Sequence, residues 1–233
     1  IYTVTVTDAN ACTASSTATI TQPNALALSG STTNVSCNGG SNGAIQISVT
    51  GGVFPYTYLW SNTSTNEDQS GLAQGSYTVT ATDANACTIT ATFTLTQPTA
   101  LTSSVVAVDV TCHGANNGSA DLSVSGGVAP YTFSWNNFQV SEDLANLDGG
   151  VYFVSITDAN GCVRRDSAII AEPTLLQLSV AVTNVACSGS NTGAVDLTVS
   201  GGTPGYSYIW SNGATTQDLS SVGSGTFVVT VTD

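Results

Sequence analysis

The chain has 233 residues, 7% of them charged and 41% hydrophobic; it lacks lysine, Arg164 and Arg165 are its only strongly basic side chains, and 15 carboxylates bring the net charge to −13. Such a polyanion has almost nothing with which to neutralise phosphates, which excludes nucleic acid as a partner and argues against an anionic membrane surface. No run approaches the ~18 apolar residues of a membrane span and no signal-peptide pattern is present, so direct membrane insertion is not expected.

From the N-terminus, Ile1-Tyr2-Thr3-Val4 alternates as a strand and runs into the turn Asp8-Ala9-Asn10, which returns at Asp83 and Asp158. Cys12, Cys37, Cys87, Cys112, Cys162 and Cys187 are separated alternately by 25 and 50 residues, and Trp60, Trp135 and Trp210 by 75. Self-similarity at a fixed period is the signature of a tandem array. A 75-residue unit is too long for a short solenoid repeat and suits a small independent β-sandwich. Residues 1–23 then read as the last strands of a preceding repeat, 24–98 and 99–173 as complete repeats, and 174–233 as a repeat lacking its last strand. The chain is expected to be a window on a longer array.

Within 24–98, the segments 25–35, 44–50, 56–60, 77–82 and 88–96 alternate with period two or are densely β-branched, and no helix of useful length fits. Ile45, Ile47 and Val49 alternate with Gln46 and Ser48, as in an antiparallel sheet with one buried face. Gly51-Gly52 followed by Pro55 gives a reversal into the strand that carries Tyr58 and Trp60. Trp60, Trp135 and Trp210 read as core plugs, and Leu72, Gly75, Tyr77 have the spacing of a tyrosine corner, repeated at Leu147, Gly150, Tyr152. In 174–233 the corner becomes Val222, Gly225, Phe227, which loses the hydroxyl. The expected fold is all-β: tandem seven-strand immunoglobulin-like sandwiches, close in strand order to the polycystic-kidney-disease-type modules.

Three linked blocks carry a family resemblance. They are Val35-Ser36-Cys37-Asn38-Gly39-Gly40-Ser41-Asn42-Gly43, the block from Gly51-Gly52 through Pro55-Tyr56-Thr57-Tyr58 to Trp60, and the run from Gly75-Ser76-Tyr77 to Asp83-Ala84-Asn85 and Cys87. They resemble the SprB repeat of gliding-motility adhesins, and the likeness returns along essentially the whole chain. It departs from the family pattern at Ala11 and Ala86, where glycine is frequent as at Gly161, and at Arg164-Arg165 in an otherwise uncharged strand. The resemblance implies very large surface proteins, exported by type IX secretion and moved along the cell for gliding; it supplies no catalytic residues.

An even number of cysteines at fixed positions reads as a disulfide framework, hence an oxidising, extracellular location. Zinc is disfavoured, since there is no Cys-x-x-Cys and a single histidine, His113. Three pairings respect the repeat: Cys37 with Cys87 inside one unit, Cys12 with Cys37 across the Gln22-Pro23 junction, and Cys37 with Cys162. An ordinary immunoglobulin topology sets Cys37 and Cys87 at opposite ends of strands roughly 25 Å long, beyond the ~7 Å between Cα atoms that a disulfide spans. The presence of both cysteines in every unit favours the intra-unit bridge nonetheless, provided that the first strand crosses between sheets near Thr33-Asn34, where its alternation slips.

The recurring carboxylates Asp8, Asp83 and Asp158 admit two readings, calcium at unit junctions, which needs six to eight converging oxygens, or side-chain acceptors closing their own turn. Asp68, Asp143 and Asp218 recur in the same way. No catalytic group and no other cofactor is expected. Asp166-Ser167-Ala168 resembles a short acceptor pattern for O-linked sugars. Together these observations point to a non-enzymatic stalk or filament segment of a giant extracellular adhesin at the cell surface. Its partners would be neighbouring repeats, surface polysaccharide or like filaments. The rivals are a carbohydrate-binding array, for which the aromatics Phe54 and Phe138 do not recur at 75 residues, and self-assembly by strand donation.

Overall fold

The computed structural model describes residues 1–233, which form strands joined by turns and divide into two compact units, 1–100 and 101–233. The first unit opens with an antiparallel hairpin of β1 (Tyr2–Thr7) and β2 (Thr13–Ala18). A six-strand repeat follows. One sheet has the order β3 (Ala27–Thr33), β4 (Gly43–Thr50), β6 (Gln69–Leu72), and the other β5 (Thr57–Trp60), β7 (Gly75–Thr82), β8 (Thr88–Leu95). All pairings are antiparallel. First, second and fourth strands in one layer, third, fifth and sixth in the other, is the immunoglobulin-like arrangement without one strand of the expected seven.

The missing strand has a local cause. After β5 the chain turns tightly about Trp60, whose N–H donates to the Ser64 carbonyl at 2.9 Å and whose carbonyl accepts from Thr63 N–H at 2.9 Å, and whose indole Nε1 donates to the Asn66 carbonyl at 2.8 Å. Residues 61–68 are spent wrapping the ring. The short β6 that follows carries no periodic pattern, and a register shift between Gly43 and Ile45 accommodates it against β4.

The second unit repeats this plan. The sheet β9 (Thr102–Val108), β10 (Gly118–Ser125), β12 (Leu144–Leu147) accompanies the sheet β11 (Thr132–Trp135), β13 (Gly150–Thr157), β14 (Val163–Ile170). Residues 174–233 contribute β15 (Gln177–Thr183), β16 (Gly193–Ser200) and β18 (Leu219–Val222) in one sheet, and in the other only β17 (Ser207–Trp210) and β19 (Val229–Thr232).

Each core lies between two sheets, where alternate side chains meet: Ile45, Trp60, Val79 and Leu95 in the first repeat, Leu122, Trp135, Ile156 and Ile170 in the second, Leu197 and Trp210 in the third. Packing differs in one pair of facing positions. A Cβ built on Gly30 would lie 2.8 Å from the Phe93 ring, so the absent side chain makes room for Phe93, which tilts against Trp60 with centroids 6.2 Å apart. One repeat later the same positions hold Val105 and Ala168, so large against none becomes medium against small.

The expected crossing between sheets is present. β3 pairs with β4 as far as Thr33; Asn34 Oδ1 then accepts from Thr96 N–H at 2.9 Å and Val35 N–H donates to the Thr96 carbonyl at 3.0 Å. Asp109 and Val110 repeat this with Ala171.

Candidate functional site

What recurs at 75 residues is a set of side chains that close backbone turns. Asp68 Oδ1 accepts from Ile47 N–H, Asp143 from Leu122 and Asp218 from Leu197, each at 2.9 Å. Each acid supplies an acceptor to a second-strand donor two residues beyond the last pairing with the fourth strand, which ends at Ile45, Ala120 and Val195. The indoles of Trp135 and Trp210 donate to Ser141 and Thr216 carbonyls at 3.0 and 2.9 Å, as Trp60 does to Asn66. All three tryptophans are buried, which removes them as sugar-stacking platforms.

The expected tyrosine corners are formed where a tyrosine is present. Tyr77 donates to the Ala73 carbonyl and Tyr152 to the Asp148 carbonyl, both at 3.1 Å. Phe227 makes no such bond, and β19 starts only at Val229. A second tyrosine tie went unrecognised in the sequence: Tyr56 donates to Gly51 at 2.5 Å, Tyr131 to Gly126 at 2.6 Å, and Tyr206 to Gly201. Its signal was present, since a tyrosine always follows the Gly-Gly pair at the same distance. Burial pushes the phenol of the neighbouring Tyr58 up to about 12, and Glu67 beside it adds to the rise.

The Asp turn is saturated with donors. Asp83 Oδ2 accepts from Val53 N–H at 3.0 Å, and Oδ1 accepts from Asn85 at 2.9 Å and Cys87 at 2.8 Å. Asp158 repeats this with Val128, Asn160 and Cys162, and Asp8 accepts from Asn10 and Cys12. Burial alone would raise the carboxyls of Asp83 and Asp158, but the donated N–H bonds outweigh it and hold both below the ordinary carboxylate value. Oxygens ringed by N–H donors do not suit a cation, and the structure contains no group of three or more His, Cys, Asp or Glu able to share a metal. The turn-closing reading of Asp8, Asp83 and Asp158 is therefore the one their geometry fits.

At the opposite pole, the first turn is tied to the departing chain. Gly39 N–H donates to Gln97 Oε1 at 2.8 Å, and Asn38 Nδ2 to the Pro98 carbonyl at 3.0 Å. In the second repeat Gly114 N–H donates to Glu172 Oε1 at 2.6 Å, and the same oxygen lies 3.1 Å from His113 Nδ1. His113 is thus part of a turn clasp.

The cysteines correct one expectation. Cys37 and Cys162 are disulfide-bonded, whereas Cys12, Cys87, Cys112 and Cys187 are exposed free thiols. The Cys37–Cys87 bridge within a repeat is not formed, and neither is Cys12–Cys37. The sheet crossing at Thr33-Asn34 carries Cys37 to the Thr96–Pro98 end of β8, whereas Cys87 precedes Thr88 at the other end. Eight residues of strand separate them, about 27 Å at ~3.4 Å per residue.

An apolar groove of about 410 Å³ lies in 174–233, lined by Val180, Val185, Val195, Trp210, Val222 and Phe227. It lies where the complete repeats place their sixth strand. Phe54 and Phe138 are exposed at 79% and 93%, and Phe54 meets Tyr56 edge to face; neither recurs in the other repeats. No helix is long and apolar enough to cross a membrane.

Strand order and turn closures define a tandem array of immunoglobulin-like β-sandwich repeats. The SprB repeat matches residues 29–65, 104–140 and 179–215: the chain carries three SprB repeats in register with its 75-residue period. It is a repeat segment of a cell-surface, adhesin-like protein. No curated protein matches it. Among solved structures, the crystal structure of Dpr2 Ig1-Ig2 in complex with DIP-Theta Ig1-Ig3 matches over 79% of this chain and 77% of that chain, at 10% identity and a TM-score of 0.28. So loose a superposition adds nothing to a fold that rests on its strand pairing.

Proposed function

We propose that this segment is a structural, non-enzymatic stalk of a very large extracellular adhesin that serves surface attachment and gliding. The observation that carries the reading is the nature of what repeats. Asp68, Trp60, Tyr56 and Asp83 return with the same backbone partners, whereas exposed positions change between repeats: Ser76, Thr78 and Thr94 on the outer face of the first become Val151, Phe153 and Ile169 in the second. A site needed for chemistry or for one ligand would be kept where solvent reaches it. Here the retained groups are those that hold the sandwich, which suits repeats that provide length and multiplicity. The SprB family implies outer-membrane display, type IX export and motion along the cell; these belong to the proposal.

The test of this reading is deletion, in the parent protein, of one or two whole 75-residue repeats from this segment. Export and labelling of intact cells by antibodies to this chain should persist, while attachment and gliding decline with each repeat removed. Saturable binding of a single soluble glycan by one isolated repeat, or loss of an enzymatic activity on deletion, would overturn it.

A further inference from the structure

One outer sheet face differs in kind between the two complete repeats. In the first repeat, on β7 and β8, Ser76 stands beside Thr94 and Thr78 beside Thr92, with hydroxyl contacts of 3.2 and 2.8 Å. In the second, on β13 and β14, Val151 stands beside Ile169 and Phe153 beside Ser167, and Val151, Phe153 and Ile169 are exposed. The adjoining turn changes in the same sense. Thr63 and Thr65 of the first repeat become Phe138 and Val140, both exposed. Asn136 holds that turn against β13, donating to the Val151 carbonyl at 3.0 Å and accepting from Phe153 N–H at 3.1 Å. In the third repeat Gly213, Thr215 and Thr226 fill the matching positions and only Val228 is apolar. So many bare apolar side chains gathered on one surface mark a place that a partner covers.

The charges around the patch select the partner. One step along the strands from Phe153, Arg165 pairs with Ser155 and lines a shallow depression with Phe153, Ser134 and Asp166. Asp166 is itself held by the Ser103 hydroxyl at 2.6 Å. At the other end of β13 the exposed Asp148 stands two residues before Gly150. The patch therefore has a cation towards one end and a carboxylate at the other, with apolar side chains between them. Such a surface is complementary to itself when turned through half a revolution. We propose that this face of the second repeat is a homophilic contact, through which two copies of the chain pair about a twofold axis at Phe153. Val151 and Ile169 of each copy then pack on the other, and Arg165 of each is directed at Asp148 of the other.

The dimensions of the face set the strength of the contact. Three strands about 4.8 Å apart, crossed by four rows about 6.8 Å apart, cover about 400 Å² per copy. That footprint is smaller than a permanent dimer needs, and the net charge of −13 on each copy opposes approach. The pair is therefore reversible and gains most where chains stand side by side at high local concentration. Attachment and gliding do not enter this reasoning, so the pairing and the stalk reading fail separately.

The experiment is sedimentation equilibrium of the full chain from about 1 µM to about 1 mM. The thiols of Cys12, Cys87, Cys112 and Cys187 are first alkylated without reduction, which prevents covalent pairing. A monomer–dimer equilibrium is expected; a monomer at every concentration overturns the proposal. Val151→Ser, Phe153→Thr and Ile169→Thr together install the residues that the first repeat already carries on its own sheet face, and should raise the dissociation constant about tenfold or more. A dimer that survives this triple change, through the groove of 174–233 or any other face, overturns it as well. Arg165→Glu should also weaken the dimer, and adding Asp148→Arg should restore it by exchanging the two charges. A double variant that associates no better than Arg165→Glu alone would overturn the twofold pairing.

Discussion

The second and third repeats share a plan, a buried tryptophan and an aspartate that accepts from the second strand, and differ in whether a sixth strand lies over the core. In 99–173, β14 brings Ala168 and Ile170 into the interior, both 2% exposed. A Cβ on Gly118 would lie 2.8 Å from the Ile170 side chain. In 174–233 the equivalent glycine, Gly193, faces Val185 and Val222, and the groove of about 410 Å³ opens in that place. Val110 is 3% exposed in the closed repeat, whereas its counterpart Val185 lines the groove. The first five strands thus form a sandwich with one side of its core open, and Ala168 and Ile170 of the sixth close it.

The comparison is broken most directly at Ile170. Ile170→Ala should give the second repeat a cavity like the one in the third and lower its stability by about 2–5 kcal/mol. Hydrogen exchange followed repeat by repeat measures this: β10 and β13 should lose protection while β4 and β7 keep theirs. If β16 and β19 in the unaltered chain already exchange as slowly as β10 and β13, the sixth strand is not what closes the core.

The next test compares the two complete repeats. Gly30→Val inserts a branched side chain against Phe93 and should cost about 1–3 kcal/mol through overpacking. Adding Phe93→Ala recreates the Val105 and Ala168 pair of the second repeat but relieves only the contact with the ring, since a Cβ on Gly30 also lies 2.7 Å from the Gln46 carbonyl oxygen; the double variant should therefore be less destabilised than the sum of the two single ones. The coupling read from the double-mutant cycle is the measurement; additive costs would mean that the two positions do not share one volume.

Much of this architecture was legible in the sequence, because period-two alternation survives in strands with one buried face. Ile45, Ile47 and Val49 announced β4, and the spacing of Leu72, Gly75 and Tyr77 announced the corner. β6 was missed because four residues cannot display a period and the third takes a left-handed conformation, at Gly71, Asn146 and Ser221 with φ of 71°, 54° and 58°. Three residue types in one strained place leave no compositional signal. Its partner in the sheet is selected by Asp68, a contact across 21 residues. The slip at Thr33-Asn34 was readable as a crossing between sheets. Which end of β8 the crossing reaches was not, because that depends on the hydrogen bonds of Asn34 and Val35 with Thr96, and the sulfur pairing turned on that choice.

The smallest effect is expected at the tyrosine corner, and it separates the hydroxyl from the strand that presents it. Tyr152→Phe deletes the bond to the Asp148 carbonyl and should cost about 0.5–1.5 kcal/mol, read as a shift in the unfolding midpoint of the second repeat. Phe227→Tyr restores the hydroxyl in the third repeat, but β13 runs from Gly150 whereas β19 begins at Val229. The phenol would project from a backbone that no neighbouring strand holds in register, since β13 gains that register by pairing Gly150 with Ile170 and Tyr152 with Ala168. Phe227→Tyr alone should therefore leave stability unchanged. When a peptide with the β14 sequence occupies the groove, the same substitution should gain about as much as Tyr152→Phe loses. An equal gain without the peptide would show that the corner forms independently of the sixth strand.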